Sequence, residues 1–82
     1  MTNHLLTLFE RLVANQEAHA ANQRKLWSAF AARMRFARVE AKISLREMAR
    51  RMGVSAPTVS DWELGRRRWT RKRVEQFLKH LA

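Results

Sequence analysis

The side chains of this chain with the most evident chemistry are its cations. Arg66, Arg67 and Arg68 follow Gly65 directly, and Arg71, Lys72 and Arg73 come two residues later. A guanidinium is a planar fork of N–H donors that matches phosphate oxygens, so this stretch is built to meet phosphate. Hydrogen-bonding groups able to discriminate between ligands lie just before it, in Ser55, Thr58, Ser60 and Asp61. Catalysis finds no support. His4, His19 and His80 are scattered, Asp61 and Glu63 stand two apart on a helix and so face different ways, and there is no cysteine. Neither a metal nor a nucleophile constellation can be assembled from these residues. No metal, no cofactor, no small-molecule ligand and no enzymatic activity are expected.

Composition narrows the partner. The 82 residues carry a formal charge of +10. It is unevenly placed, because residues 1–22 hold Arg11 against Glu10 and Glu17 while the basic residues crowd the remainder. A polyanion is the expected partner, nucleic acid ahead of an anionic membrane. A cationic membrane-surface helix is disfavoured because the apolar N-terminal segment is slightly acidic, opposite to what an interfacial helix needs. No apolar run approaches the roughly 18–20 residues of a membrane span, and the start lacks the basic region and cleavage site of a signal peptide. The chain reads as soluble and cytoplasmic. With no cysteine available as a staple, a core of this size leaves only a few kcal/mol of net stability, and self-association is the cheapest supplement.

The elements that must position these groups all read as helices, with no strand signal and no internal repeat. Between Met1 and Met52 there is neither proline nor glycine. Leu5, Leu8, Phe9, Leu12 and Val13 share one face at 100° per residue, and Ala20, Leu26, Trp27, Phe30, Ala31, Met34 and Ala37 fall on the same face. Either one long helix runs from about 3 to 41 or two helices meet near Asn22, a suitable N-cap. The weak helix formers Asn15, His19, Asn22 and Gln23 favour the break.

Further along, Ser44 and Glu47 have the S-x-x-E spacing of a capping box. A short helix at about 45–52 follows, with Met48, Ala49 and Met52 facing inward and Gly53 at the left-handed closing position. Ser55 caps the next helix, where Pro57 is tolerated in the first turn. Val59 and Trp62 form its buried side and Gly65 ends it. Thr70 caps a last helix in which Val74, Phe77, Leu78 and Leu81 repeat at i, i+3, i+4 and i+7. Trp27, Trp62 and Trp69 read as core residues rather than base-stacking platforms.

Residues 30–69 resemble the lambda repressor-like helix-turn-helix family, also called the XRE or Cro type, whose consensus runs roughly S-Q-x-x-L-A-x-x-L-G-V-S-x-x-x-I-S-x-x-E-x-G. Ser44, Met48, Ala49, Met52, Gly53, Val54, Ser55, Val59, Ser60, Glu63 and Gly65 stand at those places in register. The resemblance implies an all-α, lambda repressor-like bundle of four to five helices, here with an extra N-terminal amphipathic helix. Residues 1–24 would form that element and residues 25–82 the DNA-binding domain.

What the resemblance implies about function is double-stranded DNA recognition. The recognition helix would present Ser55, Ala56, Pro57, Thr58, Ser60 and Asp61 to the groove. This set is poor in readers. Ala56 and Pro57 offer only apolar contact to a thymine methyl, and Asp61 either accepts from a cytosine amino group or is held by an intramolecular partner such as Arg66 or Arg51. Leu45 and Leu64 depart from the family, which often has polar residues there. Phosphate contacts are therefore expected from Arg46, Arg50, Arg51, Arg66, Arg67, Arg68, Arg71, Lys72 and Arg73. Arg71, Lys72 and Arg73 sit in a first helical turn, where cations oppose the macrodipole; they meet phosphates or form a solvated basic face. Arg38 and Glu63 match a pair that in the family bridges the first helix to the end of the recognition helix. The plainer alternative is two surface charges.

The N-terminal stripe of Leu5, Leu8, Phe9, Leu12 and Val13 either joins two copies or packs back on the domain. Dimerisation is favoured, because paired modules read palindromic operators with half-sites about 34–36 Å apart. The expected activity is that of a sequence-specific transcriptional regulator, a repressor of phage or mobile-element type acting as a homodimer. The alternative is an antitoxin-like module that binds a protein partner, a toxin or a regulator, with DNA binding secondary.

Overall fold

The computed structural model describes residues 2–14 and 20–81. Within them lie five helices and no strand: α1 (Thr2–Ala14), α2 (Ala20–Glu40), α3 (Leu45–Met52), α4 (Ala56–Glu63) and α5 (Arg71–Leu81). α2, α3, α4 and α5 surround a core of Phe30, Ala31, Met34, Met48, Val59, Trp62, Trp69, Val74 and Phe77. α1 lies against α2 and α5.

Three successive helices end in the same way. After α3, Gly53 takes φ +70°, its N–H donates to the Arg50 carbonyl at 3.2 Å and the Val54 N–H to the Ala49 carbonyl at 3.0 Å. Gly65 after α4 takes φ +75°, with the Gly65 N–H donating to Trp62 and the Arg66 N–H to Asp61. These are Schellman closures, which need a left-handed residue and usually take glycine. After α2 that residue is Lys42, at φ +60°, with the Lys42 N–H donating to Val39 and the Ile43 N–H to Arg38.

The long-helix alternative is not what forms, since Phe9 of α1 lies 5.8 Å from Phe30 of α2 between ring centres and the two helices therefore pack against each other; the polar stretch 15–19 lies outside the described residues. α2 is already helical from Ala20, so Asn22 is not its N-cap. The boundary expected between residues 24 and 25 falls inside α2, which runs through it. Leu26 is 43% exposed rather than on the inner stripe; Trp27, Phe30, Ala31, Met34 and Ala37 do face inward.

A larger correction concerns α1. Leu5 and Phe9, expected to face a second copy, are buried in the chain's own core, and Leu8 and Leu12 pack partly against it. Val13 is exposed. The physical reason is aromatic. Phe9 meets Trp27 edge-on at 5.6 Å and Phe30 at 5.8 Å between ring centres, and the chain of rings continues from Phe30 to Trp69 to Phe77 and Trp62. Such pairs add about 0.5–1.5 kcal/mol each beyond area burial, so the apolar face of α1 finds its cover within one chain.

Candidate nucleic-acid interface

Two short helices and the loop after them carry the site. The Ser44 hydroxyl accepts from the Glu47 N–H at 3.0 Å and starts α3. Only half of the expected capping box forms. The Glu47 carboxylate turns away to accept from Arg50 and Arg51, which hold it at a pKa of about 2, the Arg50 hydrogen bond being the larger cause. Gly53, Val54 and Ser55 then make the turn. The Ser55 hydroxyl accepts from the Thr58 N–H at 3.3 Å and starts α4, and the Ser55 and Thr58 hydroxyls lie 2.7 Å apart in a second hydrogen bond.

α4 buries Val59, Trp62 and Glu63. At 100° per residue, the opposite side is the stripe of Pro57, Asp61 and Leu64, flanked by Thr58 and Ser60. Pro57 and Leu64 are exposed and Thr58, Ser60 and Asp61 partly so, whereas Ala56 packs in part against the core. The outward face therefore offers an imino acid, a carboxylate and a leucine, with two hydroxyls at its margins. Asp61 is not free of the protein, since its carboxylate lies 4.0 Å from the Arg66 guanidinium.

At the back of α4, Glu63 and Arg38 form a buried, two-point pair. Arg38 Nε donates to Glu63 Oε2 at 2.7 Å and Nη2 to Oε1 at 3.0 Å, while Nη1 donates to the Ile43 carbonyl at 2.8 Å. One guanidinium thus ties the end of α4 to α2 and to the turn that leads into α3. The pair is not two surface charges.

The long list of phosphate-seeking cations divides. Four are committed to protein groups. Arg50 is paired with Glu47. Arg51 bonds Glu47 and, at 2.7 Å, the His80 carbonyl in the last turn of α5. Arg71 pairs with Glu10 of α1 at 3.0 Å and lies 3.7 Å from Glu75. Arg73 bonds Gln76 at 3.0 Å and its guanidinium sits 5.3 Å from the Trp62 ring centre. Cations in the first turn of α5 are thus answered by a carboxylate from α1, which opposes the unfavourable macrodipole contact without any phosphate.

The rest point outward. Arg46, Arg67 and Lys72 are exposed with no hydrogen-bond or ion-pair partner among the described residues. Arg68 stacks 4.8 Å from the centre of the Trp27 ring, and among the described residues the Arg66 guanidinium has only its long contact to Asp61. The loop carrying these arginines is anchored from below. Trp69 is buried and donates from Nε1 to the Trp62 carbonyl at 3.0 Å, and Gly65 lies so near α2 that a Cβ there would stand 3.3 Å from the Ser28 hydroxyl.

A helix closed at a left-handed glycine, a three-residue turn, and a second helix with a hydroxyl cap and a free outer side form one recognisable unit. A family model described as a helix-turn-helix domain matches residues 29–82, well over half of the chain. The chain belongs to this helix-turn-helix domain family. No curated protein and no solved structure matched it. Membership makes it a DNA-binding protein of the helix-turn-helix class, with α3 and α4 as the two helices of the motif and α4 in the place of the recognition helix. The match begins within α2, so α1 lies outside the matched residues. Among the described residues no helix is long and apolar enough to cross a membrane.

Some relevant residues were not singled out from sequence. Phe36, Val39 and Leu64 form an exposed apolar cluster, with Phe36 64% exposed. The signal was present, because Phe36 and Val39 fall outside the inner stripe of α2. Arg24 approaches the arginine loop, and no periodicity could have shown that.

Proposed function

We propose that the protein is a sequence-specific double-stranded DNA-binding transcriptional regulator that represses by occupying its site. The observation that supports this best is the pairing of a free outer face on α4 with an arginine loop at its end that holds three guanidiniums close to no more than one carboxylate. An eight-residue helix is about 12 Å long, close to the width of the major groove, about 12 Å. Seated in the groove, α4 would set Ser55 and Arg46 near one phosphate strand and Arg66, Arg67 and Arg68 near the other.

Discrimination would rest on Pro57 and Thr58 against thymine methyl groups, Ser60 to a base edge, and Asp61 to a cytosine amino group when Arg66 turns from Asp61 to phosphate. So small a reading set makes DNA shape a strong contributor. Repression by occupancy needs no surface beyond the one described.

We assign a homodimer to the exposed patch of α2 and Leu64. Arg33 and Glu40 lie two turns apart on either side of Phe36, with no partner among the described residues. A two-fold antiparallel contact about Phe36 would set Arg33 of each copy against Glu40 of the other, with Phe36, Val39 and Leu64 between them. The same patch would also serve a protein partner of antitoxin type; stoichiometric co-purification of a second protein would favour that reading.

Selection of bound DNA from random duplexes, followed by footprinting, tests the proposal. A palindromic motif with half-sites about 34–36 Å apart is expected, and a uniform, salt-sensitive profile would overturn sequence specificity. In the same assay Arg67→Ala is expected to reduce the slope of log affinity against log salt by about 0.9, whereas Arg73→Ala leaves it unchanged.

A further inference from the structure

Between the first turns of α2 and the loop joining α4 to α5 lies an open depression of about 400 Å³. Arg24, Trp27 and Ser28 line it from α2, and Arg66, Arg67 and Arg68 from the loop. Every charged group on its wall is a guanidinium. Four such groups around one depression repel one another, and the protein brings no carboxylate to the wall to offset them. Arg24 and Arg67 have no partner among the described residues, and the contact of Arg66 with Asp61 is at the 4.0 Å limit.

Trp27, which lines the same depression, adds a second observation. The indole N–H of Trp27 is shielded from solvent and has no acceptor among the described residues. An unmet donor of this kind is uncommon in folded proteins. Arg68 lies over the same indole, 4.8 Å from its ring centre, which holds one guanidinium in place at the rim. Ser28 supplies a hydroxyl, and Gly65 keeps the loop close enough to α2 for the two sets of arginines to face one space.

We infer that this depression is a phosphate-binding site, with Arg24 and Arg67 as its principal charge-assisted donors. Delocalised guanidiniums bind phosphate oxygens in pairs, and two of them approaching from different elements suit a phosphate held from both sides. The phosphate has two sources: the DNA backbone beyond the end of α4, or a small phosphorylated molecule acting as an effector. The DNA source rests on the function proposed above; recognition of phosphate itself does not.

The test uses the full chain labelled with ¹⁵N. Inorganic pyrophosphate is titrated while the Trp27 indole signal, assigned with Trp27→Phe, and the arginine Nε–H signals are followed. Saturable shifts confined to Trp27, Arg24 and Arg66–68 are expected. Arg24→Gln should weaken pyrophosphate binding by about tenfold or more, the loss of one hydrogen bond to a charged group. Lys79→Gln, near the far end of α5, should leave it unchanged. Both replaced side chains are exposed, and an unchanged helical circular dichroism spectrum verifies folding. A random-sequence duplex then identifies the source. If Arg24→Gln also lowers the salt slope of duplex binding by about 0.9, the phosphate is that of the backbone; if duplex binding is untouched while pyrophosphate binding is lost, it is a free phosphate compound. Shifts that fail to saturate, spread over Arg33 and Arg35 and persist in Arg24→Gln would overturn the site. So would the absence of any shift at Trp27 and Arg24.

Discussion

Arg38 shows how one side chain does the work of three contacts. Its guanidinium is buried, paired at two points with Glu63 and bonded to the Ile43 carbonyl. Breaking such a pair from one side strands the other charge, so Arg38→Met or Glu63→Leu should each cost about 3–5 kcal/mol in denaturant unfolding. Arg38→Met combined with Glu63→Leu removes both charges together and should cost less than either, about 1–3 kcal/mol, because the Ile43 carbonyl then lacks a donor. Additive losses in this cycle would show that the pair is not coupled. Glu47 gives the pH-dependent counterpart. Its folded pKa of about 2 lies below the 4.5 of an unperturbed glutamate, so in that window the unfolded chain binds more protons and stability falls with acid. The contribution is complete above about pH 4.5 and is lost as pH falls towards 2. Thermal melts of Glu47→Gln should therefore be flatter than wild type across that range, and parallel curves would remove the effect from Glu47. The pairing of residues 38 and 63 was legible in sequence through family register. The half-formed capping box was not, because spacing shows where Glu47 stands but not which donor its carboxylate prefers.

At the scale of elements, closures matter more than lengths. α2, α3 and α4 end in equivalent turns, but only α2 places a residue with a Cβ in the left-handed position, Lys42 at φ +60°. Glycine has no steric penalty there. Lys42→Gly should stabilise by about 1 kcal/mol, which for a domain of this size raises the melting temperature by about 4–8 °C. Calorimetry decides it, and an unchanged or lower Tm would show that the Lys42 side chain contributes more than its backbone costs. The helices α3, α4 and α5 follow directly from Ser44, Gly53, Ser55, Gly65 and Thr70, all local signals of a few residues. The fate of α1 did not follow. An amphipathic stripe shows that a face must be covered; whether a second copy or the same chain covers it depends on which rings lie within reach.

For the whole molecule, six of the seven aromatic rings join one network that runs from Phe9 through Trp27, Phe30 and Trp69 to Trp62 and Phe77. Phe36 is the seventh, and it is exposed. That division predicts opposite outcomes for two charge insertions. Phe9→Asp should unfold a domain that holds only about 4–12 kcal/mol in total, whereas Phe36→Glu should keep the helical content and turn the proposed dimer into a monomer in light scattering. A folded Phe36→Glu protein that stays dimeric would move the contact elsewhere. What residue types and spacing determined here was local and periodic: helical class, caps, the glycine-closed motif, and a charge suited to a polyanion. What only the tertiary structure decided was the pairing of groups far apart in sequence. Arg71 is held by Glu10, Arg51 by the end of α5, α1 by a ring cluster, and Arg24 is brought to the arginine loop. Backbone capping and helical period act over a few residues and so can be read along the chain, but which cation meets a carboxylate and which is left for phosphate depends on how five helices pack.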